Sequence, residues 1–236
     1  MLRGLDHILG YAVFTTDGAL GSLQDLYYDD RSFTVRYLVV ADVDEEGSAR
    51  LVSPIAVERM TDEPQRIYLS LDRERLLGAP DIGRERPVSL QAEMDYHAHF
   101  GWPYYWQGAY AGFYPLGPQP IPASPAPVPP PASEGTEASH HLRSANETKG
   151  YHVQALDGEI GHIEDFVVDE HSWHIVTVVI DTRNWWSGKK VALSAEEFTH
   201  IDWEAQLVSV AETREQVQQT REFDASVLMR SEPSTS

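Results

Sequence analysis

Two stretches of the 236-residue chain have nearly the same sequence: DGALGSLQDLYYDD at residues 17–30 and DGEIGHIEDFVVDE at residues 157–170. The match extends over residues 10–41 and 150–181 at a constant offset of 140 residues, without a gap. It resumes one residue out of step after a loop of different length, where Val52 matches Leu193 and Leu69 matches Val210. A repeat of about 70 residues suits a small domain better than a solenoid repeat, so we expect two copies of one fold.

Each copy is predicted to be mainly β. The alternating segments GYAVFT and GYHVQA both end at Asp-Gly, the dipeptide that supplies positive φ for a type I′ hairpin turn. The apolar phase then slips at a second glycine, which predicts a bulge or a sharp bend. The residues that we interpret as structural turn positions are Asp17, Gly18, Gly21, Asp157, Gly158 and Gly161. A sheet this small gains from closure, so the expected fold is two small β-barrels with short terminal helices.

Five segments are expected along the chain. Residues 1–86 form the first barrel-like domain, 87–114 a helix plus an aromatic-rich segment, 115–149 a Pro-rich and polar flexible linker, 150–222 the second barrel-like domain, and 223–236 a flexible tail. Nine prolines among residues 115–131 predict a semi-rigid polyproline II spacer.

The order of these segments resembles the PRC-barrel family. The pattern GxxVxxxDGxxGxxxDxxxD, followed by an apolar strand, occurs twice, and the resemblance extends over about 70 residues in each copy. That family is named for the cytoplasmic domain of the photosynthetic reaction-centre H subunit, and related barrels occur in a ribosome-maturation factor. The resemblance implies two compact barrels in tandem that mediate protein contacts, and it implies no set of catalytic residues.

An aromatic segment at residues 96–114 is the predicted contact surface. Nine of its 19 residues are aromatic, with almost no charge. The segment can pack on its own N-terminal domain, contact a protein partner, or lie at a membrane interface; aromatic side chains are favoured in all three settings. The predicted partner-binding residues, which include a Trp pair in a loop of the second copy, are Trp102, Tyr104, Tyr105, Trp106, Tyr110, Phe113, Trp185 and Trp186.

The net charge disfavours nucleic acids and anionic membranes as partners. The net charge is −19 and no segment is basic, so nucleic-acid binding is not expected and peripheral contact with an anionic membrane is a lesser alternative. No apolar run approaches the length of a transmembrane helix, and we see no signal peptide. The absence of Cys rules out disulfides and Cys-ligated zinc. A cytoplasmic location is expected by default.

No residue pattern nominates a catalytic, metal or cofactor site. Acids repeated in both copies, among them Asp25 and Asp165, favour structural capping, because catalytic groups are seldom needed twice. The histidines are close in sequence in three places, namely His97 with His99, His140 with His141, and His162 with His171 and His174, but none has a strong ligand spacing.

The function expected from the sequence is therefore a non-enzymatic adaptor or scaffold that binds a protein, either itself or another. Two alternatives remain open. One is a membrane-associated, reaction-centre H-subunit-like accessory of electron transport, and the other is a ligand- or metal-binding protein with a site between the barrels.

Overall fold

A computed structural model of the chain describes residues 1–43, 48–80, 90–102, 141–182 and 189–219. The described residues are mainly β. They fall into two compact units, which we call the N-unit (Leu9–Arg31 and Val35–Leu142) and the C-unit (Met1–Ile8, Ser32–Thr34 and Arg143–Ser236).

The strands are, in chain order, β1 (Leu2–Gly4), β2 (Ala12–Thr15), β3 (Gly18–Asp29), β4 (Thr34–Asp42), β5 (Ala49–Val52), β6 (Val57–Asp62), β7 (Gln65–Leu69), β8 (Leu142–Ser144), β9 (His152–Ala155), β10 (Gly158–Asp169), β11 (His174–Asp181), β12 (Lys190–Ser194), β13 (Phe198–Asp202) and β14 (Leu207–Val210). The α-helices are α1 (Leu5–Ile8), α2 (Arg73–Leu77), α3 (Leu90–Phe100), α4 (Ala145–Thr148) and α5 (Arg214–Gln219). Short 3₁₀ turns at Pro54–Ala56 and Ala195–Glu197 precede β6 and β13.

The two units have the same strand order. In the N-unit the order is β4, β3, β2, β7, β6, with β5 beside β4, and β2 is parallel to β7. In the C-unit the order is β11, β10, β9, β14, β13, with β12 beside β11, and β14 is parallel to β9. The apolar positions matched in the sequence are buried in both copies, as Tyr11 and Tyr151 are.

The described pairings leave each sheet open, whereas the sequence led us to expect closed barrels. The outer strands β6 and β13 have no second neighbour among the described strands. Both carry exposed polar side chains, such as Glu58 and Arg59 on β6 and Thr199 and His200 on β13. Polar, exposed edges discourage pairing with another strand, so these sheets do not need closure to protect their edges.

Gly21 and Gly161 lie at a bulge, where the phase slip predicts one. The register of β2 on β3 shifts between Val13 and Phe14, and that of β9 on β10 shifts between Glu159 and Gly161. A Cβ atom at Gly21 would lie 1.5 Å from the carbonyl oxygen of Ala41, and one at Gly161 would lie 2.0 Å from that of Asp181. Each strand therefore passes so close to the end of its neighbour that no side chain fits.

The hairpins differ in detail from the expected type I′ turn. Thr15 pairs with Gly18, and Ala155 pairs with Gly158, so each loop consists of the two residues before the glycine. Positive φ among the described non-glycine residues occurs at Phe33, Trp173 and Gln206 and not in these loops. The sequence therefore placed the hairpin correctly but put the turn one residue too late.

The first eight residues belong to the C-unit. Strand β1 pairs antiparallel with β10, with Leu2 opposite Asp169 and Gly4 opposite Val167, and both Leu5 and Ile8 of α1 are fully buried. This segment was expected in the first domain. The interaction spans some 160 residues of sequence, and such long-range pairing leaves no local signal.

Residues 141–148 precede the second copy as residues 1–8 precede the first, and this segment begins in the N-unit. The backbone N–H of Asp30 donates to the carbonyl of His141 at 2.8 Å, just as Glu170 N–H donates to the carbonyl of Met1 at 3.0 Å in the C-unit. Residues 142–148, expected within the flexible linker, form β8 and α4. The matched dipeptides Leu2-Arg3 and Leu142-Arg143 are the sequence signal for this extension of the repeat.

Candidate functional site

Among the predicted partner-binding residues, Trp102 is the one that the structure describes. Trp102 stacks on Phe100 with ring centroids 4.3 Å apart and ring planes at 18°. The backbone N–H of Trp102 donates to the carbonyl of His97, in the last turn of α3. The other predicted partner-binding residues, Tyr104, Tyr105, Trp106, Tyr110, Phe113, Trp185 and Trp186, lie outside the described residues.

Helix α3 is packed firmly into the N-unit. Its buried positions are Glu93, Tyr96, His97 and Phe100, whose spacing places them on one helical face. The Tyr96 hydroxyl donates to the carbonyl of Leu51 at 3.1 Å and accepts the backbone N–H of Ser53 at 3.3 Å. The Tyr37 hydroxyl donates to Glu93 at 3.0 Å. Burial raises the pKa of Tyr96 well above its usual range, so the phenol stays protonated.

Over the length of α3, the structure therefore agrees with the alternative in which the aromatic segment packs on its own N-terminal domain. Its four buried residues bind the N-unit, while Asp95, Ala98 and His99 are exposed. His97 and His99 lie on different sides of the helix, as expected for two residues two positions apart, so they do not form a metal site together.

The repeated Asp of each hairpin holds the start of a helix. The Asp17 carboxylate accepts the backbone N–H of Arg73 at 2.9 Å, and Asp157 accepts that of Arg214 at 2.8 Å. The guanidinium of Arg73 also donates to the carbonyl of Ala19 at 3.2 Å. A hydrogen bond from the Thr15 side chain, together with that from Arg73, lowers the pKa of Asp17. The carboxylate is therefore engaged with backbone and remains ionised.

The arginine contact is repeated in the C-unit. Arg214 donates to the carbonyl of Glu159 at 2.8 Å, and its guanidinium occupies the space where a Cβ at Gly158 would lie, 2.5 Å away. Gly18 has no atom within 4 Å of its Cβ position. The end of the Arg214 side chain can move away, but Gly158 has φ +150°, a backbone conformation that disfavours any side chain, whereas Gly18 has neither constraint.

The remaining repeated acids also bind backbone amides. Asp25 accepts the N–H of Leu26 at 2.8 Å, and its counterpart Asp165 accepts the N–H of Phe166 at the same distance. Asp29 accepts the N–H of Arg31 and Asp169 that of His171, each at 3.1 Å. Short polar side chains at turns commonly satisfy backbone donors in this way.

The carboxyl group of Asp165 has a raised pKa. Burial raises the pKa of Asp165 to about 6, and the nearby negative charge of Asp6 adds to the rise. Hydrogen bonds from the N–H groups of Phe166 and Asp6 and the positive charge of Lys149 oppose it. Lys149 also forms an ion pair with Asp6. This carboxyl group, with its pKa raised to about 6, lies where residues 1–8 pack on β10.

One group of ligand-type side chains does converge among the described residues. The ligand atoms of His162, Glu164 and Asp181 all lie within 4.8 Å of one another. His162 and Asp181 are direct cross-strand neighbours on β10 and β11, and Lys190 of β12 is the next neighbour in the same row. The histidines that cluster with His162 in sequence, His171 and His174, are not members of this group. Sequence reasoning missed the group because it depends on strand register.

No described helix is long and apolar enough to cross a lipid bilayer. Comparison of the chain with the profiles of known protein families gives no match, and comparison with curated proteins gives none either.

Proposed function

We propose that the protein is a non-enzymatic adaptor that acts in the cytoplasm and binds a protein partner through residues 103–114, the part of the aromatic segment that follows α3. The partner is a second copy of this chain or a different protein. In this proposal the two units are PRC-barrel-like modules that hold the contact segment and set its position.

The anchoring of α3 is the observation that carries the proposal. Tyr96 is 2% exposed and is bound through its hydroxyl to the backbone at Leu51 and Ser53. The helix is therefore a fixed point from which the chain enters residues 103–114. A contact segment on a fixed support binds with less loss of conformational entropy than one on a free tether.

The composition of the segment supports a protein partner. Tyr and Trp supply large contact area with few rotatable bonds, and they dominate the energetics of many protein interfaces. A nucleic acid would need basic side chains to displace its counterions, and the chain has a net charge of −19. The repeated acids support a role without catalysis, because each is engaged by backbone N–H groups in both copies.

The test compares three full-length proteins. One is the wild type, the second carries Ser at Tyr104, Tyr105, Trp106 and Tyr110, and the control is Leu156→Ser, which removes an exposed apolar side chain (70% accessible) from a hairpin loop of the C-unit. Self-association is measured by sedimentation velocity, and partners are captured from lysate, identified, purified and titrated by calorimetry.

The proposal predicts that the wild type and Leu156→Ser bind equally and that the quadruple variant loses at least tenfold in affinity. Equal binding by all three proteins, or no self-association and no purified partner that binds the wild type, would contradict it.

A further inference from the structure

We propose that His162, Glu164 and Asp181 form a binding site for a divalent transition-metal ion, with Zn²⁺ as the metal that the ligands favour. The site lies within the C-unit. It is independent of the adaptor proposal, since none of its residues belongs to the aromatic segment.

The sheet places the three side chains on one face. His162 and Asp181 are paired across β10 and β11, and residues directly opposite each other in an antiparallel pair have adjacent side chains. Glu164 lies where the register of β10 on β11 shifts, between Ile163 and Asp165, and its carboxylate comes within 4.8 Å of the other two ligand atoms. His162 Nε2 lies 3.9 Å from a carboxylate oxygen of Asp181. Rotation of the partly exposed side chains of His162 and Glu164, 31% and 28% accessible, can bring the ligand atoms closer.

The ligand chemistry selects the class of ion. One imidazole nitrogen and two carboxylates suit Zn²⁺ and similar first-row ions, whereas Mg²⁺ and Ca²⁺ prefer oxygen ligands alone. Three protein ligands leave at least one coordination position for water or another ligand.

The first copy shows that the fold does not need these side chains. The positions equivalent to His162, Glu164 and Asp181 are Ser22, Gln24 and Ala41. Ala41 pairs with Ala49, the counterpart of Lys190, so this row of the N-unit carries no charge. The repeated glycines and aspartates around this row are the same in both copies, whereas the residues at the three ligand positions and at the position of Lys190 differ between the copies. A charge at the fully buried Asp181 is costly to place in a protein, and the equivalent Ala shows that packing alone does not require it.

Lys190 provides a way to regulate or tune the site. Its ammonium group lies 2.6 Å from Glu164 and is 49% accessible. A cation bound by the three ligands competes with this ion pair for Glu164. Lys190 is long and exposed, so it can leave Glu164 when the metal enters. Removal of Lys190 is therefore expected to strengthen metal binding.

The experiment titrates ZnCl₂ into the full-length protein by isothermal calorimetry, with Mg²⁺ as a second probe. The variants are His162→Ala, Glu164→Gln and Lys190→Met, and each fold is checked by circular dichroism. The matched control is His152→Ala, because His152 lies 2.8 Å from Glu159 on the same unit but belongs to no group of three ligand-type side chains among the described residues. Because the chain has ten histidines, some of which can bind zinc elsewhere, the readout is the tight binding that each variant loses relative to the wild type.

We expect one Zn²⁺ site in the wild type and in His152→Ala, at least tenfold weaker binding in His162→Ala and Glu164→Gln, and tighter binding in Lys190→Met. Mg²⁺ should not compete. The proposal is overturned if the wild type binds no zinc, if His162→Ala binds as the wild type does, or if His152→Ala loses as much as His162→Ala. The variant of the aromatic segment should retain zinc, which separates this outcome from that of the adaptor proposal.

Discussion

The carboxylate of Asp17 accepts the backbone N–H of Arg73 at 2.9 Å, so the hairpin loop that follows β2 holds the first residue of helix α2. Asp157 and Arg214 stand in the same relation in the C-unit, 2.8 Å apart. A short acidic side chain that binds an N–H at a helix start stabilises that helix through a hydrogen bond and through the helix dipole. The repeated acids thus connect two elements that are 56 or 57 residues apart.

Asp157→Ala should lower the thermal midpoint of the protein by a few degrees, because a first-turn N–H of α5 loses its acceptor. Asp157→Asn should recover most of the loss, since its side-chain oxygen can still accept. The exposed Glu204→Ala is the control for loss of one negative charge. Equal midpoints for Asp157→Ala and Glu204→Ala in differential scanning calorimetry would argue against this role.

Gly161→Ala should be strongly destabilising, by about 3 kcal/mol or more, since the new methyl group would overlap the backbone of Asp181 and the strand would have to shift. Gly21→Ala should behave in the same way in the N-unit. Gly18→Ala is the matched control, because its Cβ position is open and its φ is not positive. Urea unfolding measures all three, and a loss in Gly18→Ala as large as that in Gly161→Ala would refute the explanation.

Asp165→Asn should stabilise the protein at pH 7.5. The folded-state pKa of Asp165 is about 6, above its ordinary value of 3.8, so the fold favours the protonated form, and stability is lost as the pH rises from about 4 through 6. The full cost at high pH is at most about 3 kcal/mol. The Asn side chain is neutral and can still accept the N–H groups of Phe166 and Asp6.

The advantage of Asp165→Asn over the wild type should stay nearly level from pH 7.5 to about 6 and shrink as the pH falls from 6 towards 4, because the wild-type carboxyl then takes up its proton in the folded state. Chemical unfolding of both proteins at several pH values measures the difference directly. Asp25→Asn, at the equivalent position of the N-unit, is the comparison variant. A difference between Asp165→Asn and the wild type that stays constant over this pH range would contradict the raised pKa.

Tyr96→Phe should cost about 1–3 kcal/mol, since the N–H of Ser53 and the carbonyl of Leu51 both lose their partner in a buried site. Tyr68→Phe, which removes a half-buried hydroxyl near Arg66, should cost less. Hydrogen exchange of α3 in Tyr96→Phe reports whether the helix opens. Unchanged exchange together with unchanged stability would show that this residue does not anchor the helix.

The sequence predicted local features well and long-range ones poorly. The hairpins, the bulges at Gly21 and Gly161, the short helices α2 and α5 and the helix α3 follow from turn chemistry and periodicity within each copy. The sequence did not predict that residues 1–8 belong to the C-unit, because Leu2 and Asp169 pair across a long separation in the chain and leave no local signal. Closed barrels were expected from the small size of each copy, and polar edge strands made closure unnecessary.

The convergent ligands illustrate the same limit. His162 and Glu164 are close in sequence, but Asp181 joins them only through the register of β10 on β11, which the sequence does not state. A comparison of the two copies would have drawn attention to these positions. Ser22, Gln24 and Ala41 show that the neighbouring repeat is conserved in pattern while these three residues are not.

The central claim is that the chain holds two copies of one β unit and that residues 2–4 complete the second copy. The chain has no cysteine, so engineered pairs test this directly. Leu2→Cys with Asp169→Cys should form an intramolecular disulfide under mild oxidation, because these residues are strand partners. Leu2→Cys with Asp29→Cys, the equivalent position of the first copy, should remain reduced. A disulfide in the second pair and none in the first, read by mass spectrometry, would contradict the account.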